Sequence, residues 1–372
     1  MSEEISILDK IITSKQAMDI SSFNPSDMVS RLLKLVSEKE EDILRRRYGL
    51  NGKNEETLEQ IGKSYQVTRE RIRQIENTAV SSIKNNKDFD LISHSVESII
   101  TNIFHQYGGI MEEEFFYNKL LSLSGESTAN KNSVNFLISR LLSQKYKKII
   151  LPEWHDSWQL RSQSLDILEE TKAVFLKILQ EKAKPLYIDE VIKIFRESDV
   201  FAKHQSFLND DVITSYLKVI REVSLNPYDE YGLETWGTIK PKRINDKIYL
   251  VLKKHGQPLH FTKIAEMINK AGFDHKKAYP PTVHNELILN KQYVLVGRGI
   301  YALKEWGYKS GVVADVLEEI LRSEGQPLSR EQLINKVLEK RMVKKNTILL
   351  ALTDKSRFQK SSDDLYTLNI NK

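Results

Sequence analysis

From residue 88 onward one unit recurs about four times at a period of roughly 60–75 residues. A recurrence of that length confines the chain to a row of small modules rather than one large core. Each unit opens on an apolar-periodic helix, at residues 244–254 in the third unit and 312–321 in the fourth. A turn follows. It reads Tyr107-Gly108-Gly109-Ile110 in the first unit and Ala183-Lys184-Pro185-Leu186 in the second. In the third it is His255-Gly256-Gln257-Pro258-Leu259, and in the fourth Glu324-Gly325-Gln326-Pro327-Leu328. Gly and Pro stand where a helix must stop and a short strand must start. A second helix is expected at 113–121, 188–195, 262–270 and 329–339, with Thr262 and Ser329 as N-caps. A third is clearest at 134–142 and 281–289. Short alternating strands close the unit, 149–151 with 158–160, 293–296 with 299–303, and 358–360 with 365–368. Gly297-Arg298-Gly299 reads as a tight hairpin turn.

Helix, strand, helix, helix and β-hairpin is the order of a winged helix. The expected fold class is mainly α with small β-wings: a four-helix helix-turn-helix module followed by about four tandem winged-helix domains. The segments are an extension at 1–25, the helix-turn-helix at 26–87, and winged helices at 88–165, 166–240, 241–310 and 311–372. The second unit fits worst, because its wing at 223–239 contains Asn226-Pro227 and has a long middle.

Residues 26–87 read as four helices, at 28–36, 38–48, 58–65 and 69–84. Gly49 sits where a helix end wants a left-handed residue. Thr57 and Gln60 make a capping box, and Thr68 caps the last helix. The last two helices are joined by Tyr65-Gln66-Val67, the short connection of a helix-turn-helix. Ile72, Ile75, Ala79 and Ile83 recur at helical spacing and are assigned to the core. Arg69, Glu70, Arg73 and Gln74 then fall on outward faces at the helix start, the end that enters a major groove in this motif.

The runs Glu40-Glu41-Asp42-Ile43-Leu44-Arg45-Arg46-Arg47-Tyr48-Gly49-Leu50, Thr57-Leu58-Glu59-Gln60-Ile61-Gly62 and Val67-Thr68-Arg69-Glu70-Arg71-Ile72-Arg73-Gln74-Ile75-Glu76 resemble region 4 of the bacterial sigma factors, nearly residue by residue. The resemblance covers about a sixth of the chain and implies a domain that reads the −35 promoter element and docks on the β flap of RNA polymerase. It implies base-edge roles for Arg69, Glu70 and Gln74, and backbone roles for Arg73 and Arg47. Thr57, Thr68 and Arg71 complete the expected DNA-binding set. An Arg fork suits guanine, Glu accepts from cytosine N4, and Gln pairs with adenine. The sequence departs from the family after Glu76. Asn77-Thr78-Ala79-Val80-Ser81-Ser82-Ile83 carries no base, and only Lys84 and Lys87 follow. The sigma segments that hold the polymerase clamp and melt the −10 element have no counterpart ahead of this module, so the chain is not expected to initiate alone.

Residues 243–307 are similar to the HARE-type helix-turn-helix domain, found in the delta subunit of some bacterial RNA polymerases. The similarity rests on His255-Gly256-Gln257-Pro258-Leu259-His260-Phe261, Ile264-Ala265-Glu266-Met267-Ile268 and Gly297-Arg298-Gly299-Ile300-Tyr301-Ala302-Leu303-Lys304-Glu305-Trp306-Gly307-Tyr308. It implies a transcription context. Lys276, Lys277 and Lys291 flank the expected third helix and Arg298 tips the wing, as a phosphate-contacting set.

Charge is unevenly spread. Residues 31–87 carry +4 and 241–310 carry +8, while 88–165 carry −2 and 166–240 carry −4. Basic modules favour nucleic acid through counterion release, and acidic ones favour protein partners. Cysteine is absent, which excludes disulfides, thiolate zinc sites and a Cys nucleophile. No glycine-rich phosphate loop, HExxH or serine elbow is present, so neither catalysis nor a cofactor nor a small-molecule substrate is expected. The acidic N-terminus lacks the pattern of a signal peptide, and no apolar run is long enough to span a membrane. A cytoplasmic, nucleoid-associated location is the expectation. Four of the eight histidines lie in the third unit, and solvated or core roles are favoured over metal ligation. Trp154, Trp158, Trp236 and Trp306 are expected to pack hairpins on helices. Glu112, Glu113 and Glu114 are expected to be an exposed first helical turn. Arg45, Arg46 and Arg47 divide evenly between surface charge and phosphate contact. The leading function is an accessory transcription factor that binds double-stranded DNA and the RNA polymerase core. The alternatives are a polymerase-docking regulator that competes with sigma without reading DNA, and the DNA-binding module of a restriction-type system.

Overall fold

A computed structural model describes residues 23–308, 313–340, 343, 345–361 and 364–369. The N-terminal extension up to residue 22 lies outside these, as does Val312, the expected start of the fourth unit's first helix. The described chain is mainly helical, with small antiparallel sheets. No helix among the described residues is long and apolar enough to cross a membrane.

The N-terminal module has four helices: α1 (Pro25–Leu33), α2 (Glu38–Arg47), α3 (Leu58–Tyr65) and α4 (Arg69–Lys84). α1 starts earlier than its periodicity predicts, because Asn24 accepts from Asp27 N and Pro25 fits the first helical position. Four stretches follow. The first is α5 (Phe89–Gln106), β1 (Ile110–Glu112), α6 (Glu113–Ser124), α7 (Thr128–Phe136), β2 (Tyr146–Ile149) and β3 (Ser157–Leu160). The second is α8 (Asp166–Lys182), β4 (Leu186–Tyr187), α9 (Ile188–Phe195), α10 (Asp199–Lys203), α11 (Asp210–Val219), β5 (Val223–Leu225) and β6 (Glu230–Leu233). The third is α12 (Ile244–His255), β7 (Leu259–His260), α13 (Phe261–Ala271), α14 (Pro280–Leu289), β8 (Tyr293–Gly297) and β9 (Ile300–Leu303). The fourth is α15 (Val313–Glu324), β10 (Leu328–Ser329), α16 (Arg330–Lys340), α17 (Lys345–Leu352), β11 (Phe358–Lys360) and β12 (Leu365–Leu368). In the first, third and fourth the last strand lies central, flanked by the short early strand and its hairpin partner.

Several local expectations shift. The first hairpin uses Tyr146–Ile149, not 149–151. Tyr146 is buried and its hydroxyl lies 2.7 Å from Thr101 Oγ1, whereas Ile150 and Leu151 are exposed. The first stretch's third helix starts at Thr128, capped by Ser127, and ends in a π-helical turn at Leu137–Leu141. His260, not Thr262, caps α13, and its Nδ1 accepts from Thr262 N. Ser329 caps α16 as expected, accepting from Gln332 N. The second stretch carries the additional short helix α10.

The chain divides into two compact units, Met1–Val223 and Ser224–Lys372. In the first unit one continuous core joins the N-terminal module to the first stretch. Met28, Leu32 and Leu33 of α1, Leu44 of α2, and Ala79, Val80 and Ile83 of α4 share it with Val134, Phe136, Leu137 and Leu141. Polar contacts reinforce the junction. Asn132 Nδ2 donates to Gly49 O at 2.9 Å, and the Tyr48 and Phe136 rings stand 4.7 Å apart. α11 ties on to the same body, since Ser215 Oγ donates to Ile110 O at 2.7 Å and Tyr216 Oη to Gly108 O at 3.0 Å. The second unit holds one core around Ile248, Ile264, Val283 and Tyr301, and another around Leu317, Leu333, Ile348 and Phe358.

The first unit's tyrosines predict alkaline unfolding. Burial pushes Tyr146 up to about 12, and burial also raises Tyr48, Tyr117 and Tyr216. An unfolded tyrosine ionises near 10. Between these values the unfolded chain releases a proton that the folded chain keeps. The stabilisation is therefore complete below about pH 10 and is lost as pH rises through about 12, on the order of 3 kcal/mol for Tyr146. The last part of the phenolate absorbance to appear, that of the buried tyrosines, should develop together with the loss of far-UV circular dichroism across that window. Full phenolate formation at pH 10 with helicity intact would contradict it.

Candidate nucleic-acid interface

The helix-turn-helix is built on a small apolar core. Ile43, Ile61 and Ile72 are fully buried, with Leu58, Tyr65, Val67 and Ile75 against them. The turn needs two unusual positions. Gln66 takes a left-handed conformation at φ 56°, and a Cβ on Gly62 would stand 2.7 Å from Val67 O. A glycine at 62 is what lets the two helices approach. Thr57 Oγ1 accepts from Gln60 N at 3.2 Å, while Thr57 N donates to Gln60 Oε1 at 2.8 Å. Thr68 Oγ1 accepts from Arg71 N at 3.2 Å. Both threonines, assigned to the DNA-binding set, thus fix the helix starts.

At the start of α4, Arg69, Glu70, Arg71, Arg73 and Gln74 are all exposed. They are not independent. Arg73 grips Glu70 through two hydrogen bonds, Nε to Oε2 at 2.9 Å and Nη2 to Oε1 at 2.6 Å. Hydrogen bonding by Arg73 holds the Glu70 carboxyl below the usual range, and Glu70 raises Arg73 in turn. Arg71 Nη1 donates to Gln74 Oε1 at 3.3 Å. Because the helix start also favours negative charge, Glu70 stays ionised as an acceptor.

Arg47 faces inward. Its Nη1 donates to Glu56 O at 3.1 Å, and its Nε, buried, lies 3.9 Å from Glu76 Oε2. Arg46 pairs with Glu56 and Arg45 with Glu41. Glu76, which sequence reasoning did not single out, is 5 % exposed. Tyr48 Oη donates to it at 2.5 Å, and Arg140 Nη2 stands 3.3 Å away. Ile75, assigned to the core, is only half-buried. Nothing local to α4 marks Glu76 as interior, because its arginine partner is remote in sequence.

In the second unit Lys276, Lys277, Lys291 and Arg298 are exposed. Lys276 and Lys277 lie in the loop before α14, Lys291 follows it, and Arg298 sits at the β8–β9 turn. Gly299 has φ +71°, and a Cβ there would meet His260 Nε2 at 2.5 Å, so the wing turn is closed tightly over β7. Lys240 and Lys242, not singled out from sequence, line an open cleft with Lys276. The rings of His260, Phe261, His284 and Tyr301 meet in a row, with Phe261 and His284 stacked at 4.4 Å and Tyr301 edge-on to His284. No group of three His, Cys, Asp or Glu among the described residues is placed to hold a metal. Trp154 and Trp158 are buried, and Trp158 Nε1 donates to Glu113 Oε1 at 3.3 Å. Glu112 accepts from Glu114 N and Phe115 N as a cap.

Comparison with known proteins bears on the first of these surfaces. Residues 32–85 match the family described as Sigma-70, region 4. The RNA polymerase sigma factor SigA of Lactococcus lactis subsp. cremoris is 40 % identical over 58 residues, 16 % of each chain. SigA of Nostoc sp. is 44 % identical over 69 residues, 16 % of this chain and 18 % of its own. SigA1 of Synechococcus elongatus is 49 % identical over 53 residues, 14 % of this chain and 13 % of its own. The chain spans less than a fifth of the length of these relatives. Residues 32–85 form a Sigma-70 region 4 domain, and the likeness to sigma factors is a likeness in that domain.

Proposed function

We propose that this protein is a non-catalytic, sequence-specific accessory transcription factor of bacterial type, acting in the cytoplasm on nucleoid DNA together with RNA polymerase. The start of α4 enters the major groove at a −35-type element. Arg69, Glu70 and Gln74 meet base edges, and Arg71 and Arg73 serve the neighbouring backbone. The observation that carries this reading is the exposed, mutually hydrogen-bonded group on α4, held by a fully buried isoleucine core in a Sigma-70 region 4 domain. The apolar flank of α4, Val80 and Ile83, is already covered by the protein's own core. That favours DNA over a docking protein as what α4 meets, and so the DNA-reading alternative over the competing-regulator one. The four following stretches act as tandem winged helices, the third of HARE type, with Lys276, Lys277, Lys291 and Arg298 on phosphates. Several weak modules on one chain raise overall affinity through effective concentration.

Binding of the purified chain to duplexes with an intact or a scrambled −35 element, over a salt series, tests the proposal. Tighter binding to the intact element with a steep salt slope is expected. Equal binding to both duplexes, or none, would remove the sequence-reading role.

A further inference from the structure

The exposed face of α4 does not end at Gln74. Glu70, Asn77, Ser81 and Lys84, with either Arg73 or Gln74 between the first two, recur at three- and four-residue spacing, which places them on one side of the helix. All but half-buried Lys84 are exposed. Beyond Gln74 that side is uncharged for two turns. The first stretch fills this gap from outside the helix. Arg140, on the π-helical turn after α7, donates from Nη2 to Asn77 Oδ1 at 2.7 Å and keeps 32 % of its side chain in solvent. Two turns further along α4, Lys84 Nζ reaches Ser143 Oγ at 3.5 Å, and Arg161 Nε donates to Ser143 O at 2.9 Å. Arg161 is exposed. Lys84, Arg140 and Arg161 are thereby gathered around residues 140–143, beside the helix that carries the base-reading group. Arg140 and Arg161 belong to a segment whose net charge is −2, so the concentration of positive charge there is local.

We infer that Arg140 and Arg161 of the first stretch form a phosphate-contacting surface for the same DNA duplex, continuing the reading face of α4. The inference rests on the proposed DNA-binding role of α4. The shared core fixes the geometry, since α4 and the π-helical turn belong to one packed body and Arg140 is anchored by buried Glu76. A guanidinium held in place loses less side-chain freedom on meeting a phosphate than one on a free surface side chain. Phosphate contacts carry no sequence information, so this surface adds affinity equally on every duplex.

The test measures binding of the full chain to fluorescein-labelled intact and scrambled −35 duplexes across a KCl series. Wild type is compared with Arg140→Gln, Arg140→Lys and Arg161→Gln, and the thermal midpoint of each is recorded. Arg140→Gln and Arg161→Gln should each reduce the slope of log affinity against log salt by about 0.9, equally on both duplexes. Arg140→Lys should restore the slope. If wild type binds and both glutamine variants keep its slope, Arg140 and Arg161 are structural and the inference falls, even where the midpoint drops. If wild type binds neither duplex, the DNA-binding reading itself falls and takes the inference with it.

Discussion

Arg69→Ala combined with Glu70→Ala is expected to remove most of the discrimination between intact and scrambled −35 duplexes, leaving only what Gln74 supplies, with the fold in place. Each well-formed contact to a base edge is worth ~1–3 kcal/mol, so the lost preference is about fivefold to 150-fold per contact. Both side chains are exposed and neither joins the isoleucine core, so the thermal midpoint should move little. The small shift expected comes from removing an acidic residue from the first turn of α4, about 0.3–1 kcal/mol. The double variant also releases Arg73 from its two hydrogen bonds to Glu70. Arg73 then remains as a phosphate contact, so residual binding should keep its salt dependence and lose most of its sequence preference. Discrimination that survives the double substitution undiminished would place base reading elsewhere in the chain.

Ile72→Ala is expected to have the largest effect on stability. Ile72, Ile43 and Ile61 are each 0 % exposed and form a core separate from the large one that unites the first unit. Truncating a buried isoleucine to alanine typically costs ~2–5 kcal/mol. A core this small has few neighbours able to close the cavity, so the loss should lie toward the upper part of that range. The consequence should be local. Amides of α3 and the first half of α4 should exchange faster, while α5 to α7, held by the larger core, stay protected. DNA binding should be lost together with the exchange protection of α3. A uniform rise in exchange across the whole first unit would show that the two cores unfold as one.

Much of the helix-turn-helix was legible in the sequence because its determinants are local. Thr57 with Gln60, Thr68 with the amide of Arg71, and Gly49 at φ +59° act within a few residues. So does the exposure of Arg69, Glu70, Arg73 and Gln74, which follows from helical spacing around Ile72. The hairpin strands Phe358–Lys360 and Leu365–Leu368 fall where alternation places them. Where the expectation slipped, a side chain made the difference over several residues. Tyr146 drew the first hairpin toward the core and left Ile150 and Leu151 outside.

The sequence by itself determined most of the helical segments, several of their caps, and which charged residues line the outer face of α4. Hydrogen bonds to nearby backbone and the 3.6-residue period decide these things, and both are written in short stretches of chain. Only the tertiary structure decided what the apolar residues pack against. Periodicity marks Ala79 and Ile83 as buried, but the hydrophobic effect has no direction, so nothing in α4 names Val134, Leu137 and Leu141 as their partners. The same holds for charge. Glu76 is interior because Tyr48 and Arg140 meet it there, and Arg47 turns inward for the same carboxylate. A carboxylate leaves water only where partners replace its solvation, and those partners are brought together by the fold, not by their places in the sequence.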